Sequence, residues 1–407
     1  MVYKEKLLNH NSKGALRGIL VIDFSRWVAG PYCTNMLSDM GATVIKVESL
    51  GGDQARKQVG GNLAAFHTYN HGKKSLAIDF QDPRGKEILY CLTREADIAV
   101  ENYRPGMAEE MGIGYDDLSK INPAIIYCSI NAFGTSPPEY ANRAGVDMLV
   151  QSMGGVMSVT GMPGGPPVPA GIPIADQNGG IYGYAAIMTA LYHRAATGIG
   201  QYVSVALIDT MVFSLSTRFA ELIGLGKIPQ RLGNAHSQIV PFQAFQTADG
   251  WVTVAALTEE HWKKVCEALG AEELRRDTRY GSAKLRLENR ESLTDRLNEY
   301  FKKRAAKEWL DIFLKADVMC APLWNIQELI SSELILDHGF IPTVNHPIEG
   351  TYPVLQTPLN FSKTPGEVQG PAPLLGENTH EILTAIGYDK NEIKELLDSK
   401  VIKVANL

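Results

Sequence analysis

A strand–helix–strand unit near the amino terminus constrains the fold of this chain more than any other feature. Residues 19–24 are typical of a buried strand and residues 43–48 of a second strand, and the segment 32–40 between them has helical spacing and stops at Gly41. Ala29-Gly30-Pro31 is expected to turn the chain between the first strand and this helix. Two strands joined by a helix in this way are parallel, with a right-handed crossover.

The same alternation continues along the chain. Further strands are predicted at 75–80, 97–100, 124–130 and 201–207, and further helices at 83–94, 181–196 and 208–225. A Gly- and Pro-rich stretch, 161–167, and an apolar run, 168–174, precede the long helix at 181–196. The alternation predicts a doubly wound α/β domain.

The pattern changes after about residue 226. Residues 242–257, split by Asp249-Gly250, predict an antiparallel hairpin. Helices are then predicted at 259–269, 292–303 and 307–316. These elements indicate a smaller α+β domain. From about Cys320 the chain is Pro-rich and loops back, and a last helix is predicted at 379–386.

Composition excludes several classes of protein. The chain has 407 residues, 45% of them hydrophobic, which is ample for a large buried core. Its net charge of −6 argues against bulk binding of nucleic acid. The five cysteines are odd in number and form no C-x-x-C pair, and no apolar signal segment is apparent at the amino terminus. We therefore expect a reducing, cytoplasmic setting and no membrane span.

The common signatures of α/β enzymes do not occur in the sequence. It contains no phosphate-binding G-x-x-x-x-G-K-[ST] loop, no G-x-G-x-x-G after the first strand, no H-E-x-x-H and no G-x-S-x-G. The nine histidines are dispersed, without the spacing of metal ligands. We therefore predict no metal site.

Asp176 is the candidate nucleophile. It stands where an apolar strand ends and a Gly-rich turn opens a helix, and ligands of open α/β sheets bind outside the carboxyl ends of strands. A carboxylate there could attack a carbonyl carbon, and the free N–H groups of the helix start could stabilise the oxyanion. Gly179 and Gly180 would let backbone or ligand approach closely. The alternative is an ordinary helix cap, a position for which Asp is favoured. The pattern alone leaves both open.

A second candidate segment follows the strand at 97–100. In Asn102-Tyr103-Arg104, the amide can bind amides, the ring can cover an apolar chain and the guanidinium can pair with phosphate. Lys73, Lys74 and Arg143 are further cations that could meet phosphates. An ordinary turn and a solvated charged face are the alternatives.

Five motifs in order resemble those of the class III coenzyme A transferases, the carnitine/bile-acid family that includes formyl-CoA transferase. They are Asp23-Phe24 with Ala29-Gly30-Pro31, the strand 41–48, the Asn102–Gly106 turn, the block 175–205 and the 373–379 segment. The resemblance runs from about residue 17 to the end of the chain.

The resemblance implies an interlocked homodimer and a covalent mechanism. It implies a Rossmann-like large domain built from both chain ends, residues 1–225 and 321–407, and a small α+β domain, residues 226–320. Asp176 matches the family's catalytic aspartate, which forms an acyl anhydride and then an aspartyl-CoA thioester. Coenzyme A is a cosubstrate, and an acyl-CoA and a small carboxylic or dicarboxylic acid are the implied substrates.

The resemblance also implies coenzyme A contacts. They fall at Val28, Ala29, Ile78, Gln81, Asn102, Tyr103, Arg104 and Arg143. The formyl-CoA transferases have Gln at the position of Val28 and Lys at that of Gln81, so the sequence departs from them there.

Two departures bear on the reaction. Family members that racemise 2-methylacyl-CoA have a histidine in the loop matching 144–148, and this sequence has none there, which favours transfer over racemisation. The run of glycines that covers the aspartate in formyl-CoA transferases is replaced by 233–241. His236 or Gln238 of that segment is our hypothesis for a contact with the acceptor carboxylate. A racemase or epimerase and a non-catalytic coenzyme A-binding protein remain the alternatives.

Overall fold

The computed structural model describes residues 3–57 and 64–405, which form two compact units. Unit 1 contains the chain up to Val156, Pro169–Ala220 and the chain from Asp337; unit 2 contains Met157–Val168 and Glu221–Leu336. The sequence predicted the large domain as 1–225 and 321–407, and that division stays a prediction. Segment 157–168, which the prediction assigned to the large domain, groups with unit 2.

The strands of the described residues are numbered in chain order. They are β1 Leu20–Asp23, β2 Thr43–Glu48, β3 Lys74–Ile78, β4 Ile98–Glu101, β5 Ile126–Asn131, β6 Gln201–Ala206, β7 Phe242–Gln246, β8 Trp251–Ala255, β9 Met319–Pro322, β10 Thr343–His346, β11 Gly350–Pro353 and β12 Ile402–Lys403.

The core of unit 1 is a seven-stranded sheet in the order β12-β3-β2-β1-β4-β5-β6. All neighbours are parallel except β12, which pairs antiparallel with β3. Alternate side chains face opposite sides: Leu20 and Ile22 pack into one apolar cluster and Val21 into the other. The predicted α/β sheet is confirmed.

Helices cover this sheet. They are Lys4–Leu7, Ala29–Asp39, Ala64–Asn70, Pro83–Glu95, Met107–Glu110, Tyr115–Ile121, Pro138–Ala141, Asp147–Met153, Ile174–Thr197, Leu207–Ser214, Thr379–Ala385 and Lys390–Asp398, with a 3₁₀ turn at Gln54–Lys57. A separate antiparallel hairpin joins β10 to β11. Helices Val156–Val159 and Ser216–Leu225 run from one unit into the other.

Two helix starts differ from the prediction. The first long helix begins at Ala29, so Ala29-Gly30-Pro31 is its first turn and not a preceding turn. Proline is tolerated there because the first N–H groups of a helix have no partner within it. The helix that carries Asp176, which we call the Asp176 helix, begins at Ile174, not at 181. The Gly179-Gly180 pair lies inside this helix, and the lack of side chains lets both glycines pack closely against neighbours, Gly180 against Ala29 and Tyr32.

The carboxyl terminus contains more structure than the sequence predicted. After Thr379–Ala385 the chain forms a second helix, Lys390–Asp398, and then β12, which completes the sheet edge. Asp389 accepts from the backbone of Glu392, whose side chain accepts from the N–H of Asp389. This capping box is a sequence signal for the missed helix.

Unit 2 has its own apolar core. Strands β7, β8 and β9 form an antiparallel sheet, and the β7–β8 hairpin was predicted. Its helices are Glu259–Leu269, Glu272–Arg276, Ala283–Glu288, Arg290–Phe301, Ala306–Lys315, Ile326–Ile330 and Glu333–Asp337, with a 3₁₀ turn at Thr278–Tyr280. Within the described ranges, no helix is long and apolar enough to cross a membrane.

Candidate active site

A cavity of about 450 Å³ opens at the carboxyl ends of β1, β4 and β5 in unit 1. Seven of the predicted site residues line it: Val28, Ala29, Asn102, Tyr103, Arg104, Arg143 and Asp176. The position agrees with the rule that open parallel sheets bind ligands outside the carboxyl ends of their strands. The cavity is therefore the candidate active site.

Two predicted contacts lie elsewhere. Ile78 is fully buried in the apolar core, and its Cα pairs with that of Ile402 in the neighbouring strand β12. Gln81 is exposed, and its N–H donates to Asp79 Oδ1 over 2.9 Å. Neither residue lines the cavity, and their contact with coenzyme A stays a prediction.

Asp176 is the third residue of its helix, so the cap assignment was wrong. The helix is preceded by Pro173, and the carboxylate that meets its first turn belongs to Asp147. Asp147 Oδ1 accepts from the N–H groups of Ala175 (2.8 Å) and Asp176 (3.2 Å). These two N–H groups are therefore occupied and cannot serve as the oxyanion donors that the sequence suggested. An oxyanion needs another donor.

Gln151 fixes the other oxygen of Asp147. Its side-chain amide donates to Asp147 Oδ2 over 2.6 Å, and its oxygen accepts from the N–H of Ala170 over 2.8 Å. Gln151 is buried, with an exposed fraction of 1%. The chain of bonds from Gln151 to Asp147 to the helix start holds the backbone of Asp176 in place. Sequence reasoning missed both residues.

The pKa of Asp176 is raised from 3.8 to about 7, first by burial and second by the negative charge of Asp147. Burial away from water disfavours the charged form of a carboxyl group, and a neighbouring carboxylate disfavours it further. No side chain of the described residues donates a hydrogen bond to the Asp176 carboxylate. It is a more basic nucleophile than an ordinary aspartate and is largely ionised only above neutral pH.

The segment Ser25–Val28 forms one wall of the cavity through Trp27 and Val28, and it is held by two side chains. Asn102 Oδ1 accepts from the N–H of Arg26 (2.8 Å), and Asn102 Nδ2 donates to its carbonyl (2.7 Å). Lys46 Nζ donates to the Ser25 carbonyl over 2.8 Å. Trp27 has a φ of 65°, a conformation that bulky residues rarely adopt. Asn102 therefore positions this wall, a role that sequence reasoning did not anticipate.

Buried ion pairs support the wall from below. Lys46 Nζ lies 3.0 Å from Asp53 Oδ2, and Lys73 Nζ lies 2.9 Å from Asp23 Oδ2, with all four side chains at 0% exposure. Lys73 is therefore committed to the core, and Lys74 pairs with Glu381 over 2.7 Å. The buried ion pair of Lys73 argues against a contact of this residue with phosphate, and a contact of the partly exposed Lys74 stays a prediction.

Lys46→Met is expected to lower the free energy of unfolding by about 3–5 kcal/mol, because it leaves Asp53 buried without its cation. Lys74→Met, which breaks a partly exposed pair, is the matched control and should change stability by about 1 kcal/mol or less. Urea unfolding of both variants measures the difference. Equal losses in the two variants would contradict the structural role given to Lys46.

A second cavity, of about 320 Å³, adjoins the ends of β1 and β2. Tyr103 lines both cavities, and the Arg26 guanidinium lies over its ring, 4.6 Å from the centroid. Lys57 and Gly52 also line this second cavity. Lys46, Asp53 and Glu48 line it as well, but they form ion pairs, so Arg26 and Lys57 are the cations suited to phosphate groups beside this glycine-containing loop.

His236 lies in unit 2. Its Nδ1 accepts from the N–H groups of Gln238 (3.1 Å) and Ile239 (3.2 Å), so the proton of the neutral ring is on Nε2. The ring stacks on Phe242, with centroids 5.0 Å apart. Gln238 donates to Glu221 over 3.4 Å. A contact of either side chain with an acceptor acid stays a prediction. Among the residues described, no group of three or more His, Cys, Asp or Glu could hold a metal ion.

Proteins similar in sequence to this chain are named as coenzyme A transferases. Residues 16–379 match the family model described as CoA-transferase family III. The succinyl-CoA:glutarate CoA-transferase of Mus musculus is 37% identical over 399 residues, which are 97% of this chain and 91% of that protein. The succinate–glutarate CoA-transferase of Agrobacterium fabrum is 35% identical, over 92% of this chain and 96% of its own.

A solved structure agrees with these relatives. The crystal structure of a CaiB/BaiF family protein from Brucella suis matches with a TM-score of 0.83 and 35% identity, covering 92% of this chain and 99% of that one. The chain therefore belongs to CoA-transferase family III and is an enzyme of that family.

Proposed function

We propose that this enzyme moves coenzyme A from an acyl-CoA to a free dicarboxylic acid, with Asp176 as the covalent nucleophile. The observation that carries the proposal is the Asp176 carboxyl group itself. It lies in the cavity at the carboxyl ends of the sheet, and burial and Asp147 raise its pKa to about 7. A carboxylate that is poorly solvated and has a raised pKa is a better nucleophile toward a thioester.

The reaction proceeds through two exchanges at Asp176. Its carboxylate attacks the thioester carbon, the C–S bond breaks, and coenzyme A leaves as a thiolate from a mixed anhydride. The thiolate attacks the aspartyl carbonyl of that anhydride, which releases the donor acid and leaves an aspartyl-CoA thioester. The acceptor carboxylate then reverses these steps, and Asp176 is regenerated. Each intermediate stays activated toward acyl transfer, so the thioester energy is kept.

Two exposed cations support a dicarboxylic acid as the acceptor. Arg104 and Arg143 line the cavity with Asp176, and the Arg143 guanidinium lies 4.5 Å from the centre of the Tyr140 ring. One carboxylate of the acid must reach the aspartyl carbonyl of the CoA thioester at Asp176, and a second could pair with a guanidinium. The relatives from Mus musculus and Agrobacterium fabrum are named for succinate and glutarate, which are acids of this kind.

The two adjoining cavities suit an extended cosubstrate. We propose that the pantetheine arm passes Val28, Ala29 and Tyr103 toward Asp176, and that the phosphates lie in the second cavity near Arg26 and Lys57. Arg26 was not among the residues predicted from sequence. Its place between the cavities and its stacking on Tyr103 support this role.

An interlocked homodimer also remains our proposal. Large apolar side chains are exposed in unit 1, which fits burial against a second copy. They include Ile181, Tyr182, Tyr192, Val212 and Phe213. Sedimentation analysis should give twice the chain mass at concentrations used for assay, and a monomer that retains full activity would contradict this proposal.

A panel assay tests the proposed function. The enzyme is incubated with succinyl-CoA and each of several mono- and dicarboxylic acids, and every CoA ester is measured by mass spectrometry. Transfer predicts one new thioester for each succinyl-CoA consumed, with dicarboxylic acids preferred. Deuterium uptake at the α-carbon without transfer would instead indicate a racemase or epimerase. Binding of coenzyme A without turnover on any acid would indicate a non-catalytic protein.

A further inference from the structure

Asn131 has an unused hydrogen-bond donor in the same cavity as Asp176. It is the last residue of β5, and its exposed fraction is 5%. Its side-chain nitrogen is buried and has no hydrogen-bond partner in the described structure. Asn131 and Asp176 both line the cavity at the carboxyl ends of the strands. Buried amides are nearly always paired, so an unpaired one that borders a ligand cavity calls for a functional explanation.

The orientation of this amide is set by the backbone. Asn131 Oδ1 accepts from the N–H of Gly134 over 2.6 Å, so this atom must be the oxygen and the other must be the NH₂ group. The turn that supplies this N–H contains Gly134 at a φ of 78°, in the left-handed region. The donor is therefore held ready before any substrate arrives, which is the condition for electrostatic stabilisation of a transition state.

We propose that Asn131 Nδ2 is the oxyanion donor of the reaction at Asp176, an inference that rests on the proposed function. As a carboxylate oxygen of Asp176 bonds to the thioester carbon, the C=O π electrons move to the carbonyl oxygen. Asn131 donates to that oxyanion. When the C=O bond re-forms, the C–S bond breaks and its electron pair leaves on sulfur.

The occupied helix start strengthens this assignment. In many acyl-transfer sites a helix N-terminus supplies the oxyanion donors, but Asp147 accepts from the N–H groups of Ala175 and Asp176. Asn131 provides a donor that is free of such a partner. Its amide is neutral, so it can stabilise the oxyanion without lowering the basicity of Asp176 as a nearby cation would.

Asn131→Asp removes the Nδ2 donor but keeps the side-chain oxygen that binds the Gly134 N–H. The Asp side chain keeps an acceptor for the Gly134 N–H but has no N–H to donate. Asn131→Leu removes both groups. We expect both variants to acylate Asp176 about 10²–10³-fold more slowly than the wild type, the effect of deleting one oxyanion donor. Only Asn131→Leu should lose thermal stability through the Gly134 bond.

Rapid-quench mass spectrometry of Asp176 labelling by succinyl-CoA measures the acylation rate, and calorimetry with free coenzyme A measures binding. Free coenzyme A has no thioester carbonyl, so its Kd should stay within about twofold in Asn131→Asp. An unchanged acylation rate in either variant would overturn the role of Asn131. Labelling of Asp176 in the wild type would still support the proposed function in that case. A rise in the Kd of free coenzyme A large enough to explain the slower acylation would also overturn the role of Asn131.

Discussion

Asp176→Asn is expected to abolish CoA transfer, with a loss of at least about 10⁴-fold in kcat, because the amide cannot form the acyl anhydride. Binding of free coenzyme A should persist, since the cavity walls at Val28, Ala29 and Tyr103 are unchanged. Mass spectrometry of the CoA esters measures turnover, and calorimetry measures the binding of free coenzyme A. Residual activity above about one per cent of wild type would exclude Asp176 as the nucleophile.

The same substitution should stabilise the protein above neutral pH. The pKa of Asp176 is about 7 in the folded enzyme and 3.8 as a model value, so its ionisation disfavours folding. That cost is absent below about pH 4, grows between pH 4 and 7, and is complete above pH 7. Asn carries no charge, so Asp176→Asn should gain about 4 kcal/mol at pH 8 and nothing from this cause below pH 4.

Unfolding by urea at pH 8 and at pH 4 measures this difference. Asp116→Asn, on an exposed helix turn, is the control for the change in net charge and should show little shift at either pH. A variant at position 176 that is equally stable to wild type at pH 8 would contradict the raised pKa. A gain of stability together with loss of activity would show that the site is held in an unfavourable state for function.

Asp147→Asn is expected to move the acid limb of the kcat/KM profile to lower pH. The negative charge of Asp147 is the second cause of the raised pKa of Asp176, and burial is the first. Removing the charge should lower that pKa from about 7, although burial keeps it above 3.8. A group with a pKa near 7 is about one tenth ionised at pH 6, so the activity of this variant relative to its own plateau could rise up to about tenfold there.

The plateau itself should fall in Asp147→Asn. An Asn oxygen can still accept from the N–H groups of Ala175 and Asp176, but its NH₂ group would face the donating amide of Gln151. The helix start should therefore be less firmly held. Profiles measured from pH 5 to 9 with Asp116→Asn as the control separate the two effects. An acid limb that does not move would show that Asp147 does not influence the ionisation of Asp176.

The sequence predicted the sheet because its strands are buried on both faces. Continuous apolar runs such as Leu20–Ile22 of β1, all of them buried, are visible without any tertiary information. Helix starts were predicted less well. The start of the Asp176 helix depends on Asp147, which is 29 residues away in sequence, and no local pattern reports such a contact. β12 was missed because two residues that complete a sheet edge carry almost no periodic signal.

The candidate site was predicted in part. The motif resemblance predicted Asp176 and six other residues that line the same cavity. It did not distinguish side chains that face a ligand from those that hold the walls, such as Asn102, whose amide bonds to both backbone groups of Arg26. Asn131 was missed because polar residues are common at the ends of strands. Only the structure, in which its buried Nδ2 has no hydrogen-bond partner, distinguishes it as a candidate functional residue.

The most direct test of the account is chemical trapping of the acylated enzyme. The enzyme is mixed with succinyl-CoA in the absence of an acceptor, treated with hydroxylamine, digested and mapped by mass spectrometry. Hydroxylamine attacks the aspartyl carbonyl of an anhydride or thioester and leaves a hydroxamate on the side chain. This modification is expected at Asp176 in the wild type and should be absent in Asp176→Asn. Modification of another residue, or of none while transfer proceeds, would contradict the role of Asp176 as the nucleophile.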